Sequence, residues 1–121
     1  MKFSFKKSER LKSKKTFEML FSEGKSIKKF PIRVIYLQNE EYKICKAAFV
    51  VPKRNFKRAV NRNRIKRQLK EAYRLHKHLL NSNKGTTFAL LFLYLGNKKL
   101  PYATIESAVI NLLKQLTDET I

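Results

Sequence analysis

The sequence predicts an α+β fold: a mixed sheet of three to four strands packed by helices, in the order helix, strand, strand, helix, strand, helix. Three observations predict it. Apolar residues recur with helical period in three segments and crowd into short β-branched and aromatic runs in three others, so strands and helices follow one another without a regular βαβ alternation. Hydrophobic residues make up 43% of the 121 residues, enough for one modest core. Only three Gly and three Pro interrupt the chain, which leaves no linker between domains, so one domain spanning 1–121 is expected.

Residues 1–12 are basic and polar with Phe3, Phe5 and Leu11 scattered among them, and are expected to be extended or mobile. Ser13 suits an N-cap, Lys14 to Glu23 a short helix, and Gly24 its stop. Phe17, Leu20 and Phe21 fall at i, i+3 and i+4 and share one face. Pro31 opens a strand, Ile32 to Leu37, apolar on both faces apart from Arg33. Asn39-Glu40-Glu41 reads as a turn and Ile44 to Val51 as a second strand ended by Pro52, so the two can pair as a hairpin.

Ala59 to about Leu80 has the clearest helical period: Ile65, Leu69, Ala72, His76 and Leu79 cover one narrow face. Asn81-Ser82-Asn83-Lys84-Gly85 ends it. Thr86 to Leu95 is apolar on both sides, which places it centrally in the sheet. A loop, Gly96-Asn97-Lys98-Lys99, leads to a last helix, Thr104 to Leu116, whose apolar face is Ile105, Val109, Leu112, Leu113 and Leu116.

Charge is the dominant feature. There are 28 Lys and Arg against 9 Asp and Glu, a net charge of +19. Such an excess adds nothing to fold stability and costs self-repulsion, so it points to a polyanionic partner. Residues 53–77 hold eleven of the cations and one acid, Glu71. A solvated helix face would interleave acids in i,i+4 pairs, and only Arg67 and Glu71 have that spacing. Arg58, Arg62 and Arg64 sit in the first helical turns, where each cation opposes the helix dipole by about 0.3–1 kcal/mol. Local stability is given up there, and phosphate binding is the physical reason to expect. Arg62, Lys66, Lys70 and Arg74 drift slowly around one side of the helix beside the apolar stripe, where they could track a phosphate backbone.

Catalysis by the protein itself is not expected. Two-metal hydrolysis needs a carboxylate cluster, whereas the acids are scattered, and Glu40-Glu41 and Asp118-Glu119 read as solvated turn or tail charges. His76 and His78 point to different sides of a helix and make poor joint ligands; His76 reads as a core-edge residue. Cys45, alone, reads as a small buried strand residue in a reducing compartment. No secretory segment is recognised and the longest apolar run, Phe88 to Leu95, is too short to cross a bilayer. A cytoplasmic location is expected.

Ala59-Val60-Asn61-Arg62-Asn63-Arg64-Ile65-Lys66-Arg67 resembles the RNR signature of the bacterial ribonuclease P protein component. The resemblance runs over nearly the whole chain: Arg10-Leu11-Lys12 with Phe17, Phe21 and Gly24 is similar to that family's first helix, Val34-Ile35-Tyr36 to its first strand, and Phe49-Val50-Val51-Pro52-Lys53-Arg54 to the strand before the signature. Pro52 and Asn55-Phe56-Lys57-Arg58 depart from the family's Ser and Gly-Asn, which puts the local backbone path in question and adds charge.

The resemblance implies a fold like that of ribosomal protein S5, with a left-handed strand–helix–strand crossover. It implies an auxiliary protein, one per RNA, in a ribonucleoprotein whose RNA subunit hydrolyses precursor tRNA using Mg2+, with no catalytic or metal-binding residue of its own. It implies a cleft for the 5′ leader formed by Phe17, Phe21 and Tyr36, with Lys53 and Arg54 on phosphates at its edge. It implies contact with the catalytic RNA through Arg10, Lys12, Lys57, Arg58, Arg62, Asn63, Arg64, Lys66, Arg67, Lys70 and Arg74. Stacking suits a leader of variable sequence, since every base has a π-face and each stack is worth about 1–3 kcal/mol. Phe17 and Phe21 at i, i+4 are equally what a helix uses to dock on a sheet, so both roles stand open. Two other readings compete: a structural RNA binder such as a ribosomal protein, which the basic helix alone would serve, and a membrane-surface protein, disfavoured because the helix lacks large aromatics other than Tyr73 opposite its basic face.

Overall fold

The computed structural model describes residues 9–38, 45–83 and 87–119. The readings of residues 1–8, of the Asn39-Glu40-Glu41 turn and of the Lys84-Gly85 stop lie outside them.

Helix α1, Lys14–Glu23, starts at Ser13, whose Oγ accepts from the Thr16 N–H at 3.3 Å, and ends at Gly24, whose N–H donates to Leu20 O. Strands β1, Lys25–Lys29, and β2, Ile32–Gln38, follow as an antiparallel pair. Strand β3 is Lys46–Val50, helix α2 is Ala59–His76 and continues as a 3-10 segment, Lys77–Asn83, strand β4 is Phe88–Tyr94 and helix α3 is Tyr102–Glu119.

The sheet has four strands in the order β1-β2-β4-β3. Two corrections follow. Strand β1 is not among the predicted elements: in Lys25-Ser26-Ile27-Lys28-Lys29 only Ile27 is buried, because an edge strand has one covered face and lysines blunt its free side. The predicted hairpin between β2 and β3 does not form. β4 lies between them, antiparallel to β2 and parallel to β3, as its all-apolar sequence requires of a central strand.

β3, α2 and β4 make a strand–helix–strand crossover between parallel neighbours, and one hydrogen bond fixes its hand. The Leu11 N–H donates to Ala47 O at 3.0 Å, so the backbone polar groups of Ala47 face the outer edge of β3, away from β4. The Ala47 side chain belongs to the core on the α2 side. An L-residue in a strand running upward, side chain toward the viewer, directs its N–H and C=O to the right. Seen from the α2 side, β4 is therefore on the left of β3, and the crossover is left-handed, the rare hand.

Side-chain alternation divides the apolar residues between the two faces. On one face, Ile32, Val34 and Tyr36 of β2, Phe88, Leu90, Phe92 and Tyr94 of β4, and Ala47 and Phe49 of β3 pack against α2 and α3. All five predicted α3 residues, Ile105, Val109, Leu112, Leu113 and Leu116, are fully buried there. From α2 come Ile65, Leu69, Ala72 and Tyr73; Tyr73 takes the depth assigned in sequence to His76 and Leu79, which are only half-buried because the helix tightens to 3-10 after His76. The opposite face holds a smaller cluster, Leu11, Leu20, Ile35, Ala89 and Leu91, under α1. Cys45 lies one residue before β3, half-buried, and burial pushes its thiol up. It is therefore no thiolate at neutral pH.

Candidate nucleic-acid interface

The α1 side of the sheet presents three cross-strand rows: Arg33, Leu93 and Val50; Ile35, Leu91 and Ala48; Leu37, Ala89 and Lys46. Helix α1 lies over the middle row, where Ile35 and Leu91 are buried. The first row stays open: Arg33 and Val50 are exposed and Leu93 is half-buried. Gly24 permits this close seat, since a Cβ there would meet Leu20 O at 2.4 Å and Ile35 Cγ2 at 2.9 Å. Leu20 points straight down, with Phe17 about 60° and Phe21 about 100° to one side of it at 100° per residue. With the hand of the sheet fixed, a right-handed helix crossing from β3 toward β1 turns that side to the open row. Phe17 is half-buried and Phe21 is 67% exposed. The result is a shallow cleft with Phe17 and Phe21 as wall and Arg33, Leu93 and Val50 as floor. Lys53 and Arg54, both exposed, stand just past the end of β3.

Tyr36 is not brought to this cleft. It is 6% exposed and packs edge-on against Phe88 at 6.0 Å on the α2/α3 side of the sheet. A shift of one residue along a strand reverses the face, and the β2 side chain beneath α1 is Ile35. The two phenylalanines differ in burial: Phe17 packs on the α1 cluster and is half-buried, whereas Phe21 is largely exposed and belongs to neither cluster of the described residues. The floor residues Leu93 and Val50 were not singled out in the sequence because apolar strand positions there look like core.

On the far side of the sheet, α2 turns its cations outward in three directions. Arg62, Lys66 and Lys70 share a flank with Lys77, which pairs with Glu9, so this flank faces the edge segment that carries Arg10 and Lys12. Asn63, Arg67 and Arg74 form the crest. Arg64 lies on the opposite flank and, with Arg67, lines a groove completed by Gln68, Glu71 and Tyr102 of α3. The Arg62-Asn63-Arg64 triplet therefore points three ways, since successive residues of a helix lie about 100° apart.

Arg62 has an additional partner. Its Nη1 donates to Phe56 O at 2.7 Å and Lys57 O at 2.9 Å. These bonds fix the path between Pro52 and Arg58. Asn55 closes a turn on Pro52 O and reaches Gly96 O through Nδ2 at 3.4 Å, and Phe56 is buried with its ring 5.9 Å from Tyr94. Phe56 thus anchors the stretch that departs from the family's pattern, leaving Lys57 and Arg58 exposed.

Glu71 does not pair with Arg67, as the i,i+4 spacing predicts, but with Arg74, whose Nε donates to Oε2 at 3.1 Å. That hydrogen bond holds the Glu71 carboxyl below its usual range. Among the described residues no carboxylate pairs with Lys53, Arg54, Lys57, Arg58, Arg62, Arg64, Lys66, Arg67 or Lys70. His76 Nε2 lies 3.0 Å from Glu106 Oε2. No group of three metal-ligating side chains occurs among the described residues, and no described helix is long and apolar enough to cross a membrane.

A four-stranded α+β sheet with a left-handed crossover, an aromatic cleft on one face and, on the other, a helix whose cations other than Arg74 lack carboxylate partners among the described residues define a class: a small protein built to lie against a polyanion. The particular family follows from comparison. The ribonuclease P family model matches residues 5–117. The ribonuclease P protein component of Porphyromonas gingivalis is 38% identical over 112 residues, covering 88% of this chain and 82% of the relative. That of Thermotoga maritima is 30% identical over 121 residues, covering 93% and 96%. The solved ribonuclease P protein of Thermotoga maritima superposes with a TM-score of 0.74 at 24% identity, covering 88% of this chain and 96% of that one, and that of Staphylococcus aureus with 0.72 at 22%, covering 89% and 94%. The chain belongs to the ribonuclease P protein family, the protein components of a tRNA-processing ribonucleoprotein.

Proposed function

We propose that the chain assists removal of the 5′ leader from precursor tRNA, holding the leader in the α1 cleft and bracing the catalytic RNA of ribonuclease P with the outer surface of α2. One observation carries this reading: apart from Arg74, which pairs with Glu71, the cations of α2 and of the loop before it have no carboxylate partner among the described residues. A solvated face would not leave them so.

Each surface has a chemistry. Phe21, and the free side of Phe17, offer stacking platforms indifferent to base identity. Arg33, Lys53 and Arg54 offer phosphate contacts along the same cleft. Tyr36, being buried, serves the core. Arg10, Lys12, Lys66 and Lys70 on one flank of α2, Asn63, Arg67 and Arg74 on its crest, and Arg64 on the other flank offer a footprint wide enough for folded RNA. Lys57 and Arg58 extend it, and Arg62 holds the helix start while presenting its remaining nitrogens. Hydrolysis belongs to the RNA subunit with its Mg2+; the protein concentrates substrate and offsets phosphate repulsion. One protein per RNA, working in the cytoplasm, completes the proposal.

The decisive measurement is cleavage of precursor tRNA by the catalytic RNA at low magnesium. Added protein lowers the magnesium requirement and discriminates precursor from mature tRNA, while protein without RNA cleaves nothing. Cleavage at low magnesium that is indifferent to the protein would refute the proposal, and equal affinity for precursor and mature tRNA would leave only a structural RNA binder.

A further inference from the structure

Three loops meet at the end of the sheet where β3 and β4 terminate. Leu95 N–H donates to Pro31 O at 2.7 Å, tying the β4–α3 loop to the tip of the β1–β2 hairpin. Asn55 Nδ2 donates to Gly96 O, tying the same loop to the β3–α2 connection. Tyr94 OH donates to Lys98 O at 2.7 Å, so the lysines of this loop ride on a core residue. Gly96 is buried, and a Cβ there would meet the Tyr94 ring at 3.0 Å.

This laced end contributes Lys28, Lys29, Lys98 and Lys99, all exposed, beside the four cations of the β3–α2 loop. None of the three loops contains an acid. Eight like charges on loops and strand ends tied by these hydrogen bonds repel one another with no acid in the loops to offset them. At the hairpin tip stands Phe30, 64% exposed, beside a groove it shares with Lys29 and with Ala103, Thr104 and Ser107 at the start of α3. A lone exposed aromatic is ordinary. An aromatic edge on a groove of mixed polarity, beside cations with no carboxylate partner among the described residues, matches the way single-stranded nucleic acid is held: a base on a ring and its phosphates on lysines.

We infer that this end of the sheet is a further RNA-binding rim, in which Phe30 stacks a base and Lys28, Lys29, Lys98 and Lys99 contact the adjoining phosphates. The rim adjoins the α1 cleft, since Lys28 pairs across β1 and β2 with Arg33 of the cleft floor. The inference rests on the ribonuclease P reading only for which RNA arrives there.

The test measures binding of an oligouridylate of about 12 nucleotides to the full chain across a salt series. Replacing Lys28, Lys29, Lys98 and Lys99 together by Ala flattens the log–log salt dependence by about 2–3, at about 0.7 per phosphate for a single strand. Phe30→Ala weakens binding roughly tenfold and leaves the slope unchanged, because stacking releases no counterions. All five side chains are exposed, so circular dichroism stays at the parental value and the urea midpoint stays at or above it, which excludes unfolding as the cause. Repeating the comparison with leader-bearing precursor tRNA, leaderless tRNA and the catalytic RNA alone shows which RNA loses affinity and so assigns the rim. Variants that bind every probe like the parent would overturn the rim. The proposed function survives that result if the parent still lowers the magnesium requirement of the catalytic RNA.

Discussion

Arg62 lies in the first turns of α2, where its charge opposes the helix dipole, yet its guanidinium reaches back to the carbonyls of Phe56 and Lys57. Arg64, two residues on, is exposed and faces the groove toward α3. The two arginines of one signature should therefore separate experimentally. Arg62→Ala lowers folding stability by about 1–3 kcal/mol, because two acceptors in a part-buried loop lose their donor, and it weakens RNA binding as well. Arg64→Ala changes stability by less than about 0.5 kcal/mol while weakening RNA binding. Urea midpoints set beside RNA titrations check both. The cationic character of the signature was readable from residue types alone; the reach of Arg62 to Phe56 O and Lys57 O was not, because it depends on where the Pro52 to Arg58 loop passes. Tyr36 carries the same lesson in reverse. In a strand apolar on both sides, composition does not say which face a residue takes, and Ile35 rather than Tyr36 proved to lie under α1.

Helix α1 was legible to the residue, from the Ser13 cap to the Gly24 stop, since both signals are local. Gly24 adopts an extended backbone, so its need is for space rather than for an unusual conformation. Gly24→Ala forces a Cβ against Leu20 O and Ile35 and should cost about 1–3 kcal/mol. Chemical denaturation measures the loss, and leader affinity falls with it as α1 lifts from the middle row. Strand β1 left almost no trace in the sequence, because a short lysine-rich edge with one buried residue has no alternation to detect. The expected β2–β3 hairpin failed for a different reason. Proximity in sequence favours neighbours, but the most apolar strand, β4, takes the central place and separates the two.

The charge of the whole molecule was plain at the outset, but its partition was not. The fold sorts the cations into a cleft edge on one face, a helix on the other and a set of loops at one end, leaving Phe17, Leu93 and Val50 beside them. Because the free protein carries +19 with so few ion pairs among the described residues, its self-repulsion is screened by salt. Raising KCl from about 50 to about 500 mM should raise the urea midpoint of the free protein while lowering its affinity for RNA. An urea series at the two salt concentrations checks the first half, and a midpoint that falls instead would show that the surplus charge is compensated within the fold.

The place of β4 has an implication for how the chain is made. Both its neighbours, β2 and β3, are synthesised long before it, and each must wait for residues 88–94 to fill the gap between them. As the chain leaves the ribosome, about three quarters of it has therefore emerged before the sheet has a middle. A nascent chain in that condition exposes strand edges as well as unneutralised lysine and arginine, a state in which nearby RNA can serve as a shield before it serves as a partner.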